Sequence, residues 1–186
     1  MTSANPHVPP PVSAGPGPSG RGRSPRARQA AGLAALVGLA TVLAGCAPGV
    51  SVAEAPHGDD PTCAGLVLAL PRALGDLERR TTTSQASAAW GSATAPVVLR
   101  CGVDVPGPTT TRCVTMQTAS GPSIDWLAVA GTPDAQGATD WTFTTYGRDP
   151  AVEVHVPAAV TSERSTSFLD ALGTAIAQVP ATRSCL

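Results

Sequence analysis

The residues with the most definite chemistry are Leu43-Ala44-Gly45-Cys46. A cysteine behind small residues, at the end of an apolar run, is the pattern at which lipoproteins are cleaved and lipidated. The thiol takes a diacylglyceryl group as a thioether, and the small residues let extended backbone enter a peptidase groove. One acyl chain binds membranes only marginally, at about 10⁴ per molar, whereas two anchor stably. Cys46 is therefore read as a lipidation site and as the first residue of the mature chain.

The upstream residues agree with that reading. Arg21, Arg23, Arg26 and Arg28 form a basic region without acids, and Ala30 to Gly45 is an uncharged run of 16 residues. A spanning helix needs roughly 20 apolar residues, so this run is short for a permanent anchor. Basic region, apolar run and small-residue site are the three parts of a secretory signal. No adjacent arginine pair occurs before the run, so the general secretory route is expected. Residues 1–45 are expected to be a lipoprotein-type signal peptide, 46–60 a flexible tether, and 61–186 one exported domain. The expected location is the extracytoplasmic face of the cell membrane, held there by lipid on Cys46.

Four further cysteines follow: Cys63, Cys101, Cys113 and Cys185. An even number in an exported domain reads as two disulfides. Three pairings are possible; the preferred one closes a hairpin with Cys101–Cys113 and ties the domain ends with Cys63–Cys185. A zinc site lacks any Cys-x-x-Cys spacing.

Other polar candidates are sparser. Glu153 and His155 share one face of a strand and could act as an acid/base or metal pair, but no third ligand is evident. Arg148-Asp149 lies at a turn, where an arginine could recognise a carboxylate or phosphate; it is the preferred ligand contact. Asp125 precedes Trp126 in an apolar segment, with Trp126 expected in the core. Arg79-Arg80 reads as a solvated pair. No serine stands in a nucleophile motif and no glycine-rich phosphate loop occurs. No catalytic residue, metal or cofactor is expected. After Cys46, eight arginines oppose thirteen acids, a net charge of −5 with histidine neutral. That charge argues against nucleic-acid binding.

The elements that carry these residues alternate in character. Asp60-Pro61 opens a helix, with Asp as N-cap and Pro in the first turn. Arg72–Thr83 is ambiguous between helical turns and an extended edge, and Ser84–Trp90 reads as a short helix. The period then becomes two. Strands are expected at 97–101, 113–117, 124–129, 141–146 and 152–156, the last two forming a hairpin around Gly147-Arg148-Asp149-Pro150. A helix from about Ser162 to Gln178 closes the chain. The expected fold is α+β: an antiparallel sheet of about five strands packed with N- and C-terminal helices and stabilised by disulfides.

As a set, several motifs resemble those of the domain-of-unknown-function 3515 family of actinobacterial exported domains. They are Ala89-Trp90-Gly91, Val98-Leu99-Arg100-Cys101-Gly102, Asp125-Trp126 and Thr145-Tyr146-Gly147-Arg148-Asp149-Pro150-Ala151-Val152-Glu153-Val154. The resemblance covers about Cys63 to Cys185. It implies a small secreted or lipid-anchored envelope domain and carries no activity. The function expected is a non-catalytic binding or accessory module for an envelope protein or small ligand. The alternative is a cell-wall-acting enzyme using carboxylates such as Asp125 and Glu153. A closed apolar pocket would favour a ligand, and a flat apolar patch a protein partner. Carboxylates about 5–10 Å apart in a cleft would favour glycoside chemistry.

Overall fold

A computed structural model describes residues 49–118 and 121–186. The signal-peptide segment and Cys46 lie outside the described residues. Among the described residues, eight strands form one antiparallel sheet: β1 (Ala73–Leu74), β2 (Leu77–Arg80), β3 (Ser87–Gly91), β4 (Pro96–Val103), β5 (Cys113–Thr118), β6 (Gly121–Ala130), β7 (Trp141–Thr145) and β8 (Ala151–Val156). Their order is β1-β2-β3-β4-β8-β7-β6-β5. The helices are short: α1 (Pro61–Ala69), α2 (Ala158–Thr161), a 3₁₀ segment (Thr166–Leu172) and α3 (Gly173–Ile176). Both edge strands, β1 and β5, contact the 3₁₀ segment, so the sheet curls into a half-barrel around the helices.

This corrects the expected α+β fold with about five strands. The five alternating segments are β4 to β8, but three more strands precede them. Ser84–Trp90 is not a helix. Its alanines favour a helix locally, yet Ala88, Ala89 and Trp90 are all fully buried as β3, and Trp90 Nε1 donates to the Pro71 carbonyl at 3.1 Å. Tertiary burial outweighs a propensity of less than about 1 kcal/mol per residue. Nor is 162–178 one helix. The run Thr161-Ser162-Glu163-Arg164-Ser165-Thr166-Ser167 is rich in hydroxyls, which compete for backbone hydrogen bonds. Ser165 restarts the chain as an N-cap, its Oγ accepting from the Ser167 N–H at 3.2 Å.

One helix forms as its sequence requires. Asp60 Oδ1 accepts from the Thr62 N–H at 2.7 Å, and Pro61 opens α1; the Thr62 side chain first, and its backbone N–H second, hold the Asp60 carboxyl below its ordinary pKa. Cys63 and Leu66 point inward from α1. The concave core gathers Leu74, Trp90, Leu99, Trp126, Phe143, Val154, Leu172 and Ile176. On β4 and β8 the alternation is strict: Val97, Leu99 and Cys101 with Val152, Val154 and Val156 inward, Arg100 with Glu153 and His155 outward.

The disulfides are Cys63–Cys101 and Cys113–Cys185, not Cys101–Cys113 and Cys63–Cys185. The reason is sheet order. β4 lies between β3 and β8, while β5 is the far edge beside β6, so the segment from 101 to 113 is no hairpin. Cys101 faces the core, where α1 brings Cys63. Cys113 stands opposite Leu127, where the C-terminal segment passes.

Residues 49–60, expected within the flexible tether, lie against the sheet. Val50 forms a parallel bridge with Thr82, Ala55 is buried against Val103 and Ala151, and the His57 N–H donates to the Gly102 carbonyl at 2.8 Å. The pairing registers give the sheet two ends. One carries Thr81–Ser87, Gly102 and the 146–150 turn. The other carries Asp76, Ser92–Ala95 and Asp140.

Candidate functional site

The preferred contact, Arg148-Asp149, divides. Arg148 is only 5% exposed. Its guanidinium donates to the Val179 carbonyl and, at 3.5 Å, to that of Ile176, closing the end of the last helical stretch. Burial lowers its pKa, and the Asp125 charge opposes that shift. Asp149 remains exposed. The turn also seats the C-terminal segment: the Thr182 N–H donates to the Gly147 carbonyl at 2.7 Å, and Arg148 bridges Ala181.

The carboxylate candidates are separated and engaged. Glu153 accepts from Arg100 at 2.6 Å across neighbouring strands. His155 Nε2 is 3.9 Å from Asp140 Oδ2, with both side chains about half exposed. Asp125 Oδ1 accepts from the Thr115 hydroxyl at 2.6 Å, and its Oδ2 accepts from the Cys185 N–H at 2.8 Å. Asp125 and Glu153 share the convex face, but β7 runs between their strands, about 10 Å apart across the sheet, and along β7 Glu153 stands opposite Thr144 while Asp125 lies beside Tyr146. Arg79-Arg80 is not simply solvated: Arg79 donates to the carbonyls of Leu70 at 3.3 Å and Val67 at 3.2 Å, capping α1, and Arg80 donates to that of Gly91 at 3.4 Å.

A different group of residues forms a cleft. At the Asp76 end of the sheet, a cavity of about 360 Å³ opens between β5–β7 and the segment joining α2 to the 3₁₀ helix. Its floor is Val114, Met116, Ala128, Trp141 and Phe143. Its rim is Arg112 on one side and Thr161, Arg164, Ser165 and Thr166 on the other. The floor is stiffened by aromatic contacts. Trp141 stacks on Phe143 with centroids 6.0 Å apart, and Phe143 meets the buried Trp126 edge-on at 6.3 Å.

The rim carries two guanidinium groups, one of them already held by carboxylates. Arg164 pairs with Asp76 in the β1–β2 turn; the guanidinium lowers the Asp76 pKa, and the carboxylate raises that of Arg164. Glu163 lies 4.0 Å from the same guanidinium. Arg164 Nε is buried and has no hydrogen-bond partner among the described residues. Arg112 is exposed at the mouth. An apolar floor below the exposed Arg112, with the Asp76-paired Arg164 across the mouth, suits a small molecule with an apolar body and an anionic head. The volume falls within the usual range of ligand sites, roughly 300–1,000 Å³.

Sequence reading passed over these residues. The floor residues read as ordinary inward strand positions, and Arg112 and Arg164 stand in no motif. Only the curl of the sheet and the break before Ser165 bring 112–116, 128, 141–143 and 161–166 together. The alternation of β5 reads like that of any core strand, and only the structure shows Val114 and Met116 partly buried.

Among the described residues, no group of His, Cys, Asp and Glu could hold a metal ion, and no helix is long and apolar enough to cross a membrane. A family model described as protein of unknown function, DUF3515, matches residues 30–184. The match spans the domain, the apolar run and Cys46. No curated protein and no solved structure matches the chain.

Proposed function

As the chain belongs to the DUF3515 family of proteins of unknown function, we propose from its own chemistry that it is a lipid-anchored extracytoplasmic domain that binds a small amphipathic anion. Anchoring is supported by the Leu43–Cys46 motif behind its apolar run. Two disulfides suit an oxidising compartment. Binding is carried by one observation, the cleft whose apolar floor lies under Arg112 and Arg164. The carboxylates considered for a cell-wall enzyme hold Arg100, Thr115 and the Cys185 backbone instead.

Two measurements test the reading. Cys46→Ala should move the protein from the membrane fraction to the soluble one, with loss of the lipid mass; unchanged membrane retention would refute anchoring. For binding, octanoate and octyl phosphate are titrated onto the purified protein and onto Met116→Arg and Arg112→Ala. Saturable binding is expected, abolished when the floor is filled and weakened about five- to tenfold without Arg112, as for a lost charge-assisted bond of about 1–1.5 kcal/mol. No binding, or equal binding by the variants, would sink the cleft assignment.

A further inference from the structure

We infer that the lipid anchor holds the Thr81–Ser87 end of the sheet against the bilayer and turns the cleft away from it. The inference rests on lipidation of Cys46 and adds an orientation and a membrane-facing surface to that reading.

The first argument is covalent reach. Val50 is fixed to the sheet: its N–H donates to the Thr81 carbonyl at 2.8 Å and its carbonyl accepts from the Thr83 N–H at 3.0 Å. Val50 is the fourth residue after Cys46, and extended chain covers at most about 3.6 Å per residue, about 14 Å in all. The thioether sulfur sits at the membrane surface, so Val50 stays within that distance of the headgroups and Thr82 within one further strand spacing of about 4.8 Å. A free tether of residues 46–60 would reach several times farther.

The second argument is topology. Val50 docks beside the outgoing end of β2. Asp76, the ion-pair partner of the rim residue Arg164, precedes the opposite end of β2. From Asp76 to Thr82 is six residues, about 20 Å of strand. The eight residues of β4 span about 25 Å between the same two ends. With that end facing the bilayer, the cleft lies about 20–25 Å farther out than the tethered point.

The third argument is chemistry. The domain is acidic, yet residues 47–53 and 81–89 carry no charge and are mostly small or hydroxylated. A neutral surface of threonine, serine and glutamine meets headgroups without the repulsion that an acidic surface meets on anionic lipid. Glu54, Asp59, Asp60, Asp104 and Asp149 also belong to this end, with Asp60 next to the His57 crossing. Glu54, Asp59 and Asp104 lie along the path toward Gly102, and Asp149 in the turn after β7, away from the Val50–Thr82 bridge. His57 stands 3.4 Å from Asp104.

The test uses the full chain, lipidated in cells and reconstituted into vesicles of phosphatidylcholine and phosphatidylglycerol with a nitroxide-headgroup lipid. A fluorescent amino acid replaces either Gln85, at the inferred membrane end, or Ala93, at the cleft end; both positions are exposed. Quenching several-fold stronger at 85 than at 93 is expected. Inserting about 15 Gly/Ser residues between Ala47 and Pro48 adds a span of about 20 Å and should make the two positions alike. Equal quenching in protein carrying the lipid, stronger quenching at 93, or a difference that survives the insertion overturns the orientation. Absence of the lipid mass on Cys46 overturns the anchoring reading, and this inference with it.

Discussion

The two ends of the domain are fastened by the same means, with one difference. At the N-terminal end, residues 50–57 cross the sheet over Gly102, and Cys63–Cys101 lies nearby. At the C-terminal end, residues 181–185 cross over Gly147, and Cys113–Cys185 lies beyond. Both glycines have left-handed backbone, φ +90° and +73°, and a Cβ on either would collide with a passing carbonyl, that of His57 or Arg183. An arginine caps a helical end near each: Arg79 on α1, Arg148 below α3. The difference is depth. Cys63 and Cys101 are fully buried in the core, whereas Cys113 and Cys185 are partly exposed on the convex face. Two motifs in the family resemblance, Arg100-Cys101-Gly102 and Tyr146 to Pro150, mark these crossings, so their residue types answer to fastening.

The comparison can be broken most forcefully at the disulfides. Loop length alone favours the C-terminal bridge, because separations of 38 and 72 residues differ by about 0.6 kcal/mol of closure entropy. Burial favours the other, since removing two core sulfurs costs about 1–3 kcal/mol in lost contacts. Burial is the larger effect. Cys63→Ala/Cys101→Ala should therefore lose about 3–5 kcal/mol and Cys113→Ala/Cys185→Ala about 2–3, as read by urea unfolding. The reverse ranking would mean that loop closure governs both.

The glycines come next. Gly102→Ala and Gly147→Ala each force a strained φ, costing about 1–3 kcal/mol, and each displaces only its own crossing segment. Limited proteolysis separates the two outcomes. Gly147→Ala should open 180–186 to carboxypeptidase while 50–57 stays protected, and Gly102→Ala should do the opposite to an aminopeptidase. Release of both segments by either change would show that the fastenings are coupled.

The smallest contrast lies in the capping arginines. Arg148→Ala leaves buried carbonyls without a donor, a cost of about 1–3 kcal/mol. Arg79 is half-buried and water can replace it, so Arg79→Ala should cost less than about 1 kcal/mol. Thermal unfolding of the two variants checks the order. Equal losses would mean that the depth of Arg148 does not set its importance.

Local chemistry alone fixed several features. Asp60-Pro61 starts a helix because a carboxylate and a proline satisfy its first turn without help from elsewhere. The valines of β8 alternate because strand geometry sends successive side chains to opposite faces. Other features depend on residues far apart in the chain, and only the tertiary structure decided them. Ser87–Trp90 became a strand because β2 and β4 flank it and Pro71 receives its indole. Arg148 turned from a candidate contact into a buried clamp because Ile176 and Val179 end beside it. The disulfide pairing followed strand order, which no spacing along the chain encodes. The cleft exists because the half-barrel curls β5 toward residues 161–166; adjacency of that kind is set by how the sheet closes over its core.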